Sequence, residues 1–183
     1  ILKYGGGVMS KIIVVDTETT GLSCYEDEIL QLAIIDDKGE CLFNEFFKPQ
    51  YAKEWYEASK VNNIYPKHVA DKPHINEYLP KIQEIIDQAE IIIAYNAEFD
   101  LSFLAQAGIE FHLKNQAIVD VMLEFAPIYG EWSDYFGDYK WQKLTTCTEY
   151  FEYIYPPHDA LADVRATLFA YKEIEALKEK KKG

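Results

Sequence analysis

Two acidic residues separated by one position, Asp16 and Glu18, follow a run of β-branched apolar residues at 12–15. Side chains at positions i and i+2 of a strand project to the same face, so the two carboxylates point in one direction. Such a strand is usually buried, where neighbouring carboxylates resist ionisation unless a cation lies between them. Oxygen ligands without a nearby Cys or His favour Mg²⁺ or Mn²⁺, which commonly accompany phosphate chemistry. The segment therefore predicts a divalent-metal site for phosphoryl transfer.

Asp100 is a third acidic candidate, because it lies in the first turn of a predicted helix that follows the apolar segment 91–94. Asn96 is the expected N-cap of that helix, with its side chain fixing the first turn. Functional residues of α/β sheets gather at the carboxyl ends of strands, and this turn and the first acidic pair both follow such an end. We therefore expect three carboxylates to converge at one edge of the sheet.

Asp163 follows His158 by five residues, which is about 140° around a helix, so both cannot face one site from the middle of a helix. Pro156 and Pro157 precede them, and Asp159 is a suitable N-cap. We expect His158 in a loop and Asp163 in the first helical turn, where both side chains can reach inward. This placement adds a fourth carboxylate and an imidazole that titrates near neutral pH.

Three short segments carry a resemblance to a known family. They are residues 16–21 (DTETTG), 95–100 (YNAEFD) and 158–163 (HDALAD). In order and in structural context, they resemble the three motifs of the DEDDh family of 3′–5′ exonucleases, and most of all its DNA polymerase III ε proofreading subunits. The resemblance spans nearly the whole chain from residue 11. It implies an α/β fold of the RNase H-like type, with a mixed β-sheet flanked by helices on both faces.

The resemblance implies that four carboxylates hold two divalent metal ions, Mg²⁺ or Mn²⁺, for hydrolysis of a terminal phosphodiester. These carboxylates belong to Asp16, Glu18, Asp100 and Asp163. It also implies that His158 is the general base that takes a proton from the attacking water. We therefore expect a metal-dependent 3′–5′ exonuclease that acts on the 3′ end of single-stranded DNA or RNA.

The resemblance also indicates which side chains contact the terminal nucleotide. They are Thr19, Thr20, Leu22, Ile64, Asn96 and Phe99. Ile64 would lie as an apolar wedge beside the base. Because apolar stacking and insertion need no particular base, we expect little sequence preference.

The segment 130–139 is unusual for this family, because it is aromatic, acidic and loop-like. Its aromatic residues are Trp132, Tyr135, Phe136 and Tyr139. They either stack on bases or pack the loop against the core, and their loose spacing favours packing. Asp120 is another acid at a predicted strand end, but it lies outside the three motifs, so we expect it either to support the site residues from behind or to have a structural role.

The remaining pattern predicts the elements that position these residues. Segments 29–36 and 40–48, joined by a turn at 37–39, indicate a hairpin beside the first strand. Further strands are predicted at 91–94 and 118–119. Helices are predicted from residue 51, over 75–89 and 97–107, from 121 to 125, over 144–150, and over a long amphipathic stretch that includes 161–177. Strands followed by alternating helices and buried strands predict a mixed sheet.

The composition limits the class of protein. A chain of 183 residues with 49% hydrophobic residues can bury one good-sized core. Its net charge of -13 argues against a protein that coats long nucleic acid, although a substrate held at one end is compatible with it. No membrane-spanning run or signal peptide is evident, which predicts a soluble, cytoplasmic protein without a membrane partner. The three cysteines are widely spaced and support neither a disulfide framework nor a zinc site.

Residues 1–8 contain three consecutive glycines and precede Met9, so we expect an expression leader there and a single exonuclease domain over 9–183. The short segment after the third motif favours a free-standing nuclease, with a polymerase partner as the alternative. The motifs do not distinguish DNA from RNA, because that discrimination depends on contacts to the 2′-OH.

Two other functions compete with the exonuclease. A phosphatase of the haloacid dehalogenase type also begins with a strand and paired acids, but it needs Asp where this chain has Glu18. An interaction module would keep the exonuclease fold with its site unused. Four mutually repelling carboxylates have no physical reason to persist in an unused site, which argues against that module.

Overall fold

The central sheet of the protein has five strands in the computed structural model, which describes residues 11–182. The strands are β1 (Ile12–Thr19), β2 (Ile29–Asp36), β3 (Cys41–Phe46), β4 (Ile91–Ala94) and β5 (Ala117–Asp120). Their order across the sheet is β3-β2-β1-β4-β5. The β1 strand pairs antiparallel with β2 and parallel with β4, so the sheet is mixed, as predicted. The expected leader at residues 1–8 lies outside the described residues.

Seven α-helices, one 3₁₀ turn and a small hairpin complete the described chain. The helices are α1 (Tyr56–Asn62), α2 (Pro66–Val69), α3 (Leu79–Gln88), α4 (Ala97–Ala107), α5 (Val121–Tyr129), α6 (Leu144–Tyr150) and α7 (Ala160–Lys182). The hairpin consists of β6 (Trp132–Ser133) and β7 (Asp138–Tyr139). Within residues 11–182, none of the helices combines the length and apolarity needed to cross a membrane.

Three local predictions differ from the structure, two in the bounds of a helix and one in the type of element. The helix expected from residue 51 begins only at Tyr56, because the N–H groups of residues 50–52 donate to the Glu28 carboxylate. The helix expected over 75–89 is a 3₁₀ turn, Ile75–Glu77, followed by α3, with Pro80 in the first turn of α3. The segment 130–139 forms the β6-β7 hairpin instead of a loop, and Gly137 in its turn has a φ of +66°.

Alternating side chains of the central strands divide the core into two layers, one on each face of the sheet. Residues such as Ile13 and Leu32 belong to the layer that contains the buried residues of α3 and α4. Val14 and Ala33, one position away from them, belong to the layer that contains Phe125 of α5 and buried residues of α6 and α7. Helices therefore cover both faces of the sheet, as predicted. Asp16 and Glu18 lie two and four positions after Val14, so their side chains project to the same face of the sheet, the one that α7 covers.

The two parallel partners β1 and β4 end at different heights, and this difference creates a notch in the sheet. The pairing between them stops at Val14 with Ile93, and β4 ends at Ala94. The β1 strand continues to Thr19, paired only with β2 over its last residues. The acidic part of β1 is therefore open on the side from which α4 begins.

The carboxylate of Asp120 joins two helices to the end of β5. One oxygen accepts a hydrogen bond from Ala97 N–H at the start of α4 (2.8 Å), and the other accepts from Leu123 N–H in α5 (3.0 Å). Asn96 is the N-cap residue of α4, as predicted, but the expected capping bond from its side chain is absent. Asp120 thus has the structural role that we expected from the sequence.

Replacing Asp120 with alanine removes the acceptor for the N–H groups at two helix starts. We expect Asp120→Ala to lower the free energy of unfolding by about 1–3 kcal/mol, measured by urea denaturation. Asp71→Ala, which removes an exposed carboxylate, is the matched control and should leave the midpoint near that of the wild type. Equal midpoints for the wild type and Asp120→Ala would contradict this role.

Candidate active site

The structure brings Asp100 to the notch beside β1. Asp100 lies in the first turn of α4, and only 3% of its surface is exposed. Its Oδ1 accepts hydrogen bonds from the backbone N–H of Thr17 (2.9 Å) and from the Thr17 hydroxyl (2.8 Å). Because β4 has already ended, this N–H has no strand partner on that side, and the carboxylate takes that place. Asp100 is therefore bonded to the residue between Asp16 and Glu18.

The beginning of α7 brings the third motif to the same place. Asp159 caps the helix, because its Oδ1 accepts from Ala162 N–H (3.0 Å), as predicted. Asp163 lies in the first turn, and its Oδ2 accepts from the backbone N–H of His158 (3.0 Å). His158 is exposed, precedes the helix and has a left-handed backbone with a φ of +71°. The predicted loop position of His158 and helical position of Asp163 are therefore confirmed.

Gln31 of β2 attaches the start of α7 to the sheet. Its side chain is buried, and its Oε1 accepts from Ala160 N–H (3.3 Å). Its Nε2 donates to Oδ2 of Asp159 (3.3 Å). Gln31 is paired with Glu18 in the β1-β2 register, so this neutral side chain places the first turn of α7 beside the acidic end of β1.

Three side chains are close enough to share a metal ion. Glu18, His158 and Asp163 each offer one ligand atom, and these atoms lie within 4.8 Å of one another. In the described part of the chain, Oδ1 of Asp163 is buried and has no hydrogen-bond partner. A buried carboxylate oxygen without a donor is costly, and a cation would remove that cost. The donor set, rich in carboxylate oxygen, fits a hard divalent ion such as Mg²⁺ or Mn²⁺.

The carboxylates perturb one another strongly. Burial raises the pKa of Asp16 well above its ordinary value, and the charges of Asp100, Asp163 and Glu18 raise it further. Burial, with the charges of Asp163 and Asp100, raises the pKa of Glu18 to about 8. Burial also raises the pKa of Asp100 to about 7, against the hydrogen bonds from Thr17 that lower it. Without a cation, the cluster therefore retains protons at neutral pH.

Two adjoining cavities meet at this cluster. The catalytic cleft, which we define as the cavity of about 720 Å³ bordered by Asp16, Asp100 and Asp163, also reaches Tyr155 and Trp141. The second cavity, which we call the end pocket, has a volume of about 670 Å³ and a mainly apolar lining. The residues that border both cavities are Thr17, Glu18, Leu22, Val61 and Phe99.

The structure places most of the predicted nucleotide-contacting residues at these cavities. Leu22, which is 89% exposed, and Phe99 border both, and Asn96 borders the catalytic cleft. Thr19 and Thr20 border the end pocket, but both are buried. The Thr19 hydroxyl donates to the Gly21 carbonyl (2.6 Å) and the Thr20 hydroxyl donates to Asp27 (3.1 Å). The side chains of both threonines therefore support the turn after β1.

Ile64 does not have the exposure that the predicted wedge requires. Its surface is 5% exposed, and it belongs to a small core cluster with Leu30, Trp55 and Val69. It borders a smaller cavity beside His158 but neither the catalytic cleft nor the end pocket. The loop position expected for Ile64 is correct, but the family resemblance that selected it as a wedge does not predict that its side chain packs inward.

Several residues that the sequence did not indicate also border the site. Val61 is exposed and borders both cavities. Asn62 is buried beside Glu18, and its Nδ2 donates to the Thr19 carbonyl (3.1 Å). Tyr155 and Trp141 come from the segments before α7 and α6. No motif spacing connects these positions, because only the folded chain brings them to β1.

Comparison with solved structures shows a shared fold. Exonuclease X in complex with 5′ overhanging duplex DNA aligns over 91% of this chain and 92% of that chain, with a TM-score of 0.67 and 21% identity. The zinc-bound E. coli ExoI-ssDNA complex aligns over 92% of this chain and 41% of that chain, with a TM-score of 0.73 and 19% identity. The expected RNase H-like architecture is therefore confirmed.

Sequence comparison defines the family. A family model described as an exonuclease, RNase_T, matches residues 13–171, and the chain belongs to this exonuclease family. The DNA polymerase III PolC-type of Caldanaerobacter subterraneus is 32% identical over 175 residues, which cover 92% of this chain and 12% of that polymerase. The PolC-type polymerase of Streptococcus agalactiae is 30% identical over 162 residues, which cover 85% of this chain and 10% of that polymerase. The chain therefore spans only about a tenth of these relatives.

The raised pKa values predict how stability depends on pH in the absence of metal. Glu18, ordinarily 4.5, has a pKa of about 8, and Asp100, ordinarily 3.8, has a pKa of about 7. Between the ordinary and the raised pKa of each group, the folded state binds more protons than the unfolded state. The free energy of unfolding therefore falls as pH rises through this range. We expect the Tm in EDTA to decrease from about pH 5 to about pH 8.

Two variants separate this effect from the general acidity of the chain. Asp16→Asn removes one buried charge from the cluster and should make the decline of Tm with pH shallower. Asp71→Asn removes an exposed charge and should preserve the decline. A Tm in EDTA that is constant or rises over this range would contradict the raised pKa values.

Proposed function

We propose that the protein is a metal-dependent 3′–5′ exonuclease that hydrolyses the terminal phosphodiester of single-stranded nucleic acid. The observation that carries this proposal is the convergence of four carboxylates and one imidazole at the notch beside β1. Its elements come from three distant parts of the chain: β1, the start of α4 and the start of α7. Membership of the exonuclease family supports the same reaction class.

The four carboxylates would hold two divalent ions, Mg²⁺ or Mn²⁺. They belong to Asp16, Glu18, Asp100 and Asp163. Divalent ions bound there would lower the pKa of a water molecule and neutralise the charge on the leaving oxygen. The raised pKa values and the unpartnered Oδ1 of Asp163 support this assignment, since both describe negative charge that the surrounding protein groups compensate only in part.

His158 would act as the general base. Its ring is exposed at the rim of the catalytic cleft and has a nitrogen within 4.8 Å of the Glu18 and Asp163 carboxylate atoms. A left-handed conformation costs a non-glycine residue about 1–2 kcal/mol, and the bond from its N–H to Asp163 offsets part of that cost. As a general base, the imidazole would accept the proton of the attacking water.

The end pocket would hold the terminal nucleotide. Its apolar border, with exposed Leu22 and Val61 and partly buried Phe99, suits the face of a base and offers little that distinguishes one base from another. Asn96 would contact the nucleotide from the catalytic cleft. We place Val61 in the wedge role that the sequence assigned to Ile64.

The natural context of the domain is a further part of the proposal. The PolC-type relatives are polymerases, which supports a proofreading role beside a polymerase. The free-standing nuclease predicted from the sequence is the alternative. A DNA substrate is favoured over RNA, since the relatives are DNA polymerases and the two structural neighbours are complexes with DNA.

Product analysis on 5′-labelled single-stranded DNA and on RNA of the same sequence tests the reaction. We expect a ladder that shortens from the 3′ end with Mg²⁺ or Mn²⁺ and disappears in EDTA, because the carboxylates need a cation to bind the phosphodiester. The faster substrate identifies the preferred sugar. A folded protein that cleaves neither substrate would overturn the exonuclease and favour the interaction module.

Two substitutions test the assigned roles. We expect Asp163→Ala to reduce nucleotide release to background, because it removes a metal ligand. We expect His158→Ala to lower kcat by about 10²–10⁴-fold, because it removes the general base. Asp71→Ala and His112→Ala replace exposed residues outside both cavities and serve as matched controls. Full activity in either test variant would refute that residue's assignment.

A further inference from the structure

The aromatic hairpin, which we define as residues 131–141, exposes five aromatic side chains within ten residues. They are Trp132, Tyr135, Phe136, Tyr139 and Trp141. The expectation that this segment packs against the core is therefore wrong. Tyr135 and Phe136 at the tip are 89% and 77% exposed, and their ring centroids are 4.8 Å apart. Exposed aromatic surface of this extent is typical of a binding site.

The base of the hairpin is held in place by Glu131. Its carbonyl accepts from Lys140 N–H (2.8 Å), and its carboxylate binds Lys140 Nζ (2.7 Å) and Gln142 Nε2 (3.2 Å). Trp132 and Tyr139 are paired across the two strands, with ring centroids 5.3 Å apart. The rings are therefore presented by an ordered support, which lowers the entropic cost of binding a flexible partner.

Trp141 connects the hairpin to the catalytic cleft. It is 63% exposed and borders the same cleft as the acidic cluster. The next residue, Gln142, is tied to the central sheet, because its carbonyl accepts from the hydroxyl of Tyr95, which directly follows β4 (2.9 Å). A strand whose 3′ end lies in the end pocket would cross the acidic cluster and then meet Trp141.

Lys143 adds a positive charge on this side of the cleft. Its side chain is exposed, it borders the cleft, and it forms no salt bridge within residues 11–182. A free ammonium group on a protein with a net charge of -13 is suited to a phosphate. The hairpin itself carries Asp134 and Asp138, which disfavour phosphate contacts at its tip. Its contribution must therefore come from stacking of the rings.

We propose that Trp141 and the exposed rings of the aromatic hairpin form a stacking track for the bases 5′ of the scissile phosphodiester, with Lys143 contacting a phosphate between them. This inference rests on the proposed function and extends it, since it names a single strand of several nucleotides as the substrate class. Stacking tolerates any base, because each base has an aromatic face. The track therefore increases affinity for longer strands without adding sequence preference.

Fluorescence anisotropy with a 5′-labelled oligothymidylate of about 16 nucleotides tests the track, with Ca²⁺ in place of Mg²⁺ to separate binding from turnover. We expect Trp141→Ala and the tip variant Tyr135→Ser/Phe136→Ser each to raise Kd by about tenfold. Trp141→Phe should retain most of the affinity. The tip variant should affect a trinucleotide less than the long strand, because a short strand ends before the tip.

Two further variants sharpen the test. Lys143→Gln should reduce the slope of log Kd against log salt concentration by about 0.7, as expected for the loss of one phosphate contact to a single strand. Tyr51→Ala also removes an exposed aromatic side chain, but from a position outside the cleft and the end pocket, and should leave Kd unchanged.

Unchanged Kd in Trp141→Ala and in the tip variant, each with the circular dichroism spectrum of the wild type, would overturn the track. If the wild type still releases nucleotides in that case, the proposed function stands and the track alone fails. If the wild type neither binds nor hydrolyses the strand, both the stacking track and the proposed exonuclease function are refuted. A wild-type dimer in sedimentation velocity that the tip variant dissociates, with unchanged Kd, would assign the hairpin to a second copy of the chain.

Discussion

The pair of hydrogen bonds between Thr17 and Asp100 is the contact around which the site is organised. It exists because β1 extends beyond β4, which leaves the N–H of Thr17 without a strand partner on one side. The carboxylate that replaces that partner comes from the first turn of α4, the element that begins where β4 stops. A requirement of backbone hydrogen bonding thus places a charged group between two other charged groups on β1.

The repulsion that results has to be opposed by neutral donors elsewhere in the fold. Gln31 bonds to the start of α7, and the backbone N–H of His158 bonds to Asp163. These contacts hold the third motif against the sheet although its carboxylate adds to the negative charge. The raised pKa values show that the cluster is costly to the metal-free protein, as is common where residues are arranged for function at the expense of stability.

The sequence predicted contacts between neighbouring residues better than contacts between distant segments of the chain. The N-cap at Asp159 was correct because a capping residue and its helix are adjacent in the chain. Asn96 occupies the N-cap position of α4, but its side chain makes no capping bond, and the first N–H of the helix donates to a carboxylate from β5, Asp120. The burial of Ile64 could not be predicted for a related reason, since burial depends on neighbours such as Trp55. Local sequence patterns do not indicate which distant group accepts a given hydrogen bond or which distant side chains cover a given residue.

The sequence by itself determined the mixed sheet with helices on both faces, the family, and the four acids with His158 as candidates, because strand and helix periodicity and three ordered motifs are local properties of the chain. Only the tertiary structure decided that Val61 rather than Ile64 is exposed at the cleft, that Asp163 has an unpartnered buried oxygen, and that the aromatic hairpin faces solvent. These outcomes depend on how distant segments pack. Exposure and hydrogen-bond satisfaction are properties of the packed chain, so no spacing of residue types contains them.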